Sequence, residues 1–109
     1  MPPQRGEIWW VHLEPMQEAA LRKTQPYLVL TANILNRLRQ TVGVVPLSTA
    51  VRAHSSITVP MTCHGKTTVA IIDQLRTVAK YRVHSQIETA SPARVRAILT
   101  ALVQILEMT

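Results

Sequence analysis

The sequence predicts a small α+β domain, a strongly curved antiparallel sheet followed by one C-terminal helix. Short runs of β-branched, aromatic and aliphatic residues recur between Glu7 and Ile87, punctuated by prolines and polar clusters, as successive strands require. Only the stretch after Ser91-Pro92 changes to apolar steps of three and four residues, the period of a helix packed on one face. The chain has 109 residues, 47% hydrophobic and 17% charged, which suits one domain with one core. Strands first and a long helix last is an α+β order rather than a series of alternating βα units.

The run Ile-Trp-Trp-Val-His-Leu within Glu7 to Leu13 is the first strand, closed by Glu14-Pro15. Residues 14–25 have no sustained period and several polar groups, so they read as a long loop, and long loops in small domains tend to carry function. Pro26 opens the second strand, Tyr-Leu-Val-Leu-Thr, at an end where a missing N–H is tolerated. Asn33 is placed to cap a short helical turn through Arg39, with Ile34, Leu35 and Leu38 on one side and Arg37 and Arg39 outward.

Thr41 to Leu47 and Ser56 to Pro60 read as strands around a polar loop holding Ser48, Thr49, Arg52, His54 and Ser55. Thr67 to Asp73 and Leu75 to Ala79 add β-prone sequence, and Arg82 to Ile87 an edge strand, for about six strands in all. Ser91 is a good N-cap, and Pro92 at the first helical position has no N–H to lose. Val95, Ile98, Leu99, Leu102, Val103 and Leu106 form the stripe of that helix, with Arg94, Arg96, Gln104 and Glu107 off it. The stripe is expected to pack on the sheet or on a second subunit.

Twelve Lys and Arg against six Asp and Glu leave a net charge of +6, which favours a polyanionic partner: nucleic acid, an anionic membrane surface or an acidic protein. Cys63 is the only cysteine, so neither an intrachain disulfide, a Cys-rich zinc site nor a thiol redox pair can be built, and a reducing cytosol is the expected setting. The first residues lack a signal-peptide apolar stretch and no run of 18 apolar residues occurs, so a soluble, intracellular protein with no membrane-spanning segment is expected. His12, His54, His64 and His84 show neither HxxH nor HExxH spacing, and Gly6, Gly43 and Gly65 form no phosphate-binding loop. Neither a metal nor a cofactor is expected.

The candidate chemistry sits in the two polar loops. Arg22, Lys23 and Arg52 are cations able to hold phosphates if the loops converge over the sheet, although an ordinary solvated loop would look the same. His54, and less strongly His64, can bind or shuttle protons, whereas His12 inside a strand reads as structural. Asp73 ends an apolar strand, where burial without a partner is costly. An ion pair with Arg76 and a catalytic role both remain open.

Four ordered blocks now stand together: Arg5-Gly6-Glu7-Ile8-Trp9-Trp10-Val11-His12-Leu13-Glu14-Pro15, Arg22-Lys23-Thr24-Gln25-Pro26 with the strand after it, Val44-Val45-Pro46-Leu47-Ser48-Thr49, and Ile72-Asp73-Gln74-Leu75-Arg76-Thr77-Val78. In order and spacing, nearly to the end of the chain, they resemble the MazF/PemK/Kid family of type II toxins. The resemblance implies a curved, barrel-like sheet of SH3-like character, the MazF/CcdB toxin fold, and a homodimer. It also implies a cognate antitoxin and metal-independent cleavage of single-stranded RNA at short sequences, in which the ribose 2′-OH attacks the adjacent phosphate. DNA lacks that hydroxyl and would be spared.

Carried over residue by residue, the resemblance makes Gln25, Ser48 and Asp73 the catalytic candidates, and beside them Arg22, Lys23, Thr49, Arg52 and His54 of the polar loops are the RNA-binding ones. Ser48 keeps the hydroxyl of a family Thr, and Asp73 matches an Asp used by the Kid-like branch. The departures are Gln25, where relatives carry a catalytic Arg before the strand-opening proline, Ile71, where that branch carries another Arg, and Glu18-Ala19-Ala20-Leu21, where a Gly-x-Glu-Gln stretch is usual. An amide donates hydrogen bonds but brings no charge, so Arg22 or Lys23 is the expected substitute cation. A noncatalytic RNA-binding or antitoxin-binding relative is the alternative, and gyrase inhibition of the CcdB type a third.

Overall fold

Among the described residues seven strands form from the β-prone runs, against about six expected. The structure, a computed structural model, describes residues 2–13, 24–49 and 57–107. In chain order these hold β1 (Glu7–His12), β2 (Thr24–Val29), α1 (Asn33–Leu38), β3 (Thr41–Ser48), β4 (Thr58–Cys63), β5 (Lys66–Ile71), β6 (Arg76–Ala79), β7 (Val83–Thr89) and α2 (Pro92–Leu106), with short 3-10 turns at Ile72–Gln74 and Lys80–Arg82. The sheet is antiparallel in the order β4-β5-β3-β2-β1-β7, with β6 also on β3.

The eight residues of β3 change partners along their length, which is what curls the sheet. Thr41–Val44 pair with β6, Val44–Pro46 with β2, and Leu47–Ser48 with β5. Pro46 falls where β6 has ended and β5 has not begun, and Pro26 falls just past the last β2–β3 pair. Neither proline therefore interrupts a stretch paired on both sides. Two register shifts between β1 and β7 add the local twist that bulges bring.

Successive side chains on a strand point to opposite faces, and here both faces are covered. Ile8, Leu28 and Leu47 join Ile72 and Ile98 in one core, while Val11, Tyr27, Val29, Val42, Val44 and Val78 form the other. The helix α2 seals the first. Its start is as the sequence reads: Ser91 Oγ accepts the Arg94 N–H at 3.2 Å and Pro92 opens the helix. Its packing face differs, running through Ile98, Ala101 and Ile105 beside Val95, Leu99 and Leu102, so Val103 and Leu106 lie exposed. The helix meets β4 and the 72–74 turn, and a seven-residue arc centred on Ile98 leaves the Val103 side facing away.

Several expected boundaries shift. The second strand starts at Thr24 rather than Pro26, because β1 pairs with it as far as His12↔Thr24, which draws Gln25 into the sheet. Most of the expected 14–25 loop lies outside the described residues. The fourth strand continues past Pro60 to Cys63, and Pro60 is tolerated there because β4 is a terminal strand. Residues 72–74 leave the strand as a 3-10 turn that buries Ile72. As expected, β7 is an edge strand.

The short helix α1 is inverted relative to its apolar pattern. Leu38 is 72% exposed and Ile34 and Leu35 are exposed with it, while Asn36 is 1% exposed. Hydrogen bonding decides this. Asn36 Nδ2 donates to the Thr31 carbonyl at 2.9 Å, Thr31 Oγ1 donates to Asn36 Oδ1 at 2.6 Å, and the Gly43 N–H donates to Thr31 Oγ1 at 3.0 Å. Asn33 is not the cap: Ala32 occupies that position without a side-chain bond, and Asn33 Oδ1 accepts the Arg5 N–H at 2.7 Å instead. A fully bonded polar network specifies one arrangement, which an apolar contact would not.

Gly43 is part of that lock, since a Cβ there would meet Thr31 Cγ2 at 2.6 Å. Gly43→Ala is expected to destabilise the fold by about 1–3 kcal/mol, because Thr31 cannot turn aside without breaking its bonds. Urea unfolding checks this: an unchanged midpoint would show that Thr31 moves freely.

Candidate active site

The curl encloses a cavity of about 450 Å³ reached by side chains from β1, β2, β3, β4, β5 and β7. One wall is Trp10 and Pro26, which face each other across the β1–β2 pair. Gln25 and Ser48 stand beside them with Thr49, at the point where β3 has left β2 for β5. Gln25 Nε2 donates to the Leu47 carbonyl at 3.5 Å, a long bond that spans this parting and brings the amide next to Ser48. Across the cavity lie Cys63, His64 and Lys66, from the β4–β5 hairpin.

That hairpin has its own logic. Cys63 pairs with Lys66, so His64 and Gly65 alone reverse the chain, with φ values of 56° and 77°. Two-residue reversals of this kind need positive φ at both positions, which Gly adopts freely and a side-chain-bearing residue at some cost. The His64 N–H donates to Glu88 Oε1 at 2.9 Å, tying the hairpin to β7 and thus one end of the sheet to the other. Lys66 is the only fixed charge among the described lining residues, which include no carboxylate.

Of the residues expected at the site, the cavity brings Gln25, Ser48 and Thr49 together. Asp73 is elsewhere, exposed on the 72–74 turn, because Ile72 takes the buried position and turns its neighbour outward. The burial that would demand a partner is therefore absent. Among the described residues no ion pair joins it to Arg76, whose guanidinium instead lies against the Tyr27 hydroxyl. Arg22, Lys23, Arg52 and His54 lie outside the described residues. Lys66 and Trp10 join the lining without being expected there, and His64 joins it from a position with only a weak expectation; the glycine after His64, between two β-prone runs, is the signal in the sequence that marks the reversal. Among the described residues no three His, Cys, Asp or Glu side chains gather as metal ligands would, and no helix is long and apolar enough to cross a membrane.

Burial pushes the Cys63 thiol above its ordinary 9.0, with the Glu88 carboxylate adding to the rise. Burial likewise raises Tyr27 above 10.0, partly offset by Arg76. Both groups stay protonated longer in the folded chain than in the unfolded one. Stability is thus fully present below pH 9.0 and falls as pH climbs above it, since the unfolded thiol ionises first. Urea midpoints measured from pH 8 to 11 are expected to be level and then to decline, with Cys63→Ala removing the earliest part of the decline. A midpoint that rises with alkalinity would contradict this.

The family model for the "PemK-like, MazF-like toxin of type II toxin-antitoxin system" matches residues 4–106. The search of curated protein sequences found no match. Among solved structures, the chain is similar to an endoribonuclease in complex with its cognate antitoxin from a mycobacterial species, at 24% identity and TM-score 0.79, covering 98% of this chain and 97% of that one. It is also similar to MazF of a MazE–MazF complex from Deinococcus radiodurans, at 19% identity and TM-score 0.79, covering 100% and 99%. The Deinococcus MazF solved alone gives 20% identity and TM-score 0.81, covering 99% of each chain. The curled sheet with its C-terminal helix is the fold of these toxins, and the chain belongs to the PemK-like, MazF-like family of type II toxin–antitoxin toxins.

Proposed function

We propose that this chain is an endoribonuclease toxin that cleaves single-stranded RNA at short sequences without a metal ion, as a cytoplasmic homodimer restrained by a cognate antitoxin. The observation that carries this reading is the meeting of Gln25, Ser48 and Thr49 over Trp10 in one cavity of about 450 Å³, a size suited to a nucleotide. The indole offers a stacking surface for an unstacked base. The Ser48 hydroxyl and the Gln25 amide are neutral donors for the non-bridging phosphate oxygens, where charge accumulates as the 2′-oxygen adds.

In this reaction the 2′-oxygen bonds to phosphorus and the bond from phosphorus to the 5′-oxygen breaks. The 2′-OH gives up its proton to a base and the leaving 5′-oxygen takes one from an acid, leaving a 2′,3′-cyclic phosphate and a 5′-hydroxyl. Arg22 and Lys23, three and two places before Gln25, together with Arg52 and His54, extend the track for the RNA backbone. Asp73 is assigned no step. The exposed Val103 and Leu106 of α2 favour contact with a second copy, and the +6 charge suits both RNA and an acidic antitoxin segment.

Gln25 at the position of a family Arg favours one second reading, a noncatalytic relative that binds RNA or sequesters an antitoxin. Incubation with single-stranded RNA in EDTA separates them. Cleavage leaving 5′-hydroxyl ends, with DNA of the same sequence intact, is the expected result. Intact RNA held tightly supports the binding module, and growth arrest with intact RNA but broken or relaxed DNA supports gyrase inhibition.

A further inference from the structure

We infer that Lys66, with His64 beside it on the β4–β5 reversal, holds the scissile phosphate and supplies the charge that Gln25 does not. This rests on the nuclease reading of the same cavity. Phosphoryl chemistry needs positive charge where the phosphorane forms, and an uncharged lining of amide and hydroxyl groups provides only dipoles. Lys66 is the one ammonium or guanidinium among the described lining residues.

Position supports the assignment. Leu47 pairs with Ala70 of β5, and Lys66, four residues back along that strand, shares its face, whereas Ser48, paired with Val69, leaves its strand on the other face. Both Ser48 and Lys66 line the cavity, which Lys66 enters on a four-carbon stem whose head rotates freely. Thr68, also on the lining, sits between them on β5. Glu88 on β7 spends an oxygen on the His64 N–H and is not among the described residues that line the cavity.

The reversal adds a second observation. A glycine at position 64 would satisfy a φ of 56° without strain, yet an imidazole is carried there at the cavity mouth. The tether to Glu88 fixes the turn, and so holds His64 and Lys66 on the lining of the cavity that Ser48 and Gln25 share. An imidazole N–H in that place is a second donor to the phosphate oxygens.

The test uses the full chain, a cleavable single-stranded RNA and its 2′-O-methyl analogue, which binds without reacting. Lys66→Met is expected to lower cleavage by about 10²-fold. It should also flatten the slope of log affinity for the analogue against log salt by about 0.7, the worth of one phosphate contact on a single strand. His64→Gly keeps the reversal and is expected to cost roughly tenfold in cleavage, as for one hydrogen bond. Adding Gln25→Arg should raise the rate by a larger factor in Lys66→Met than in the parent, since the arginine then replaces the lost charge, whereas a merely structural lysine would give the same factor in both backgrounds. Lys80→Met, in the separate hollow beside Trp9, should change neither measurement. If the parent cleaves RNA while Lys66→Met and His64→Gly match it in rate and slope, the inference fails and the nuclease reading stands. If the parent neither cuts nor binds RNA, the nuclease reading fails first and takes the inference with it.

Discussion

Ser48→Ala is expected to reduce RNA cleavage by about 10²-fold to 10³-fold, the usual loss when one donor to a developing oxyanion is removed. The side chain ends β3 at the cavity wall, and β3 is held there by backbone pairing with Val69 that the substitution leaves in place. The chemical step should therefore slow with that pairing intact. Single-turnover cleavage at saturating protein reads that step directly, and the urea midpoint monitors the fold in parallel. A variant as fast as the parent would remove Ser48 from the reaction and with it the placement of the phosphate between β3 and β5.

Gln25→Arg is expected to act in the opposite direction and by a comparable factor, raising cleavage about 10²-fold at low salt. The amide forfeits only a 3.5 Å bond to the Leu47 carbonyl, which is weak. In exchange the cavity acquires a planar cation with several fixed donors, able to hold a phosphate through two hydrogen bonds at once. Raising the salt should erode part of this gain by screening, and the remainder reports the contact itself. A parent and a Gln25→Arg variant that both leave RNA intact in EDTA would end the nuclease reading for this chain.

The fold was legible where the deciding forces are local. The aromatic and β-branched run of β1, the apolar run of β3 and the Ser91-Pro92 start of α2 all form where their sequences indicate. Legibility failed where a partner decides. Thr24 and Gln25 carry no strand signal of their own and become strand because β1 pairs with them. The apolar residues of α1 face outward because Asn36 finds every bond it needs at Thr31, and a six-residue helix turns only one narrow face inward. On α2 the buried arc is rotated from the expected stripe, taking in Ala101 and Ile105 and leaving out Val103 and Leu106, since 3.6-residue periodicity does not say which edge of an apolar arc meets the sheet.

The same division runs through the cavity. Gln25 and Ser48 were named from resemblance to known toxins, block by block, and the structure puts both on one wall. Lys66 and His64 had no such guide, because the lysine stands 41 positions after Gln25 and belongs to no motif. They reach the cavity because β3 trades β2 for β5 and so swings the β4–β5 hairpin across the first three strands.

By itself the sequence determined the class of fold, the positive charge and the absence of a disulfide, for these follow from composition and from periods of two and 3.6 residues. The tertiary structure alone decided which distant residues share a cavity, where Asp73 points and which side of α2 stays bare. Those outcomes depend on strand partners and on the curl of the sheet, and contacts between residues far apart in the chain leave no local pattern to read.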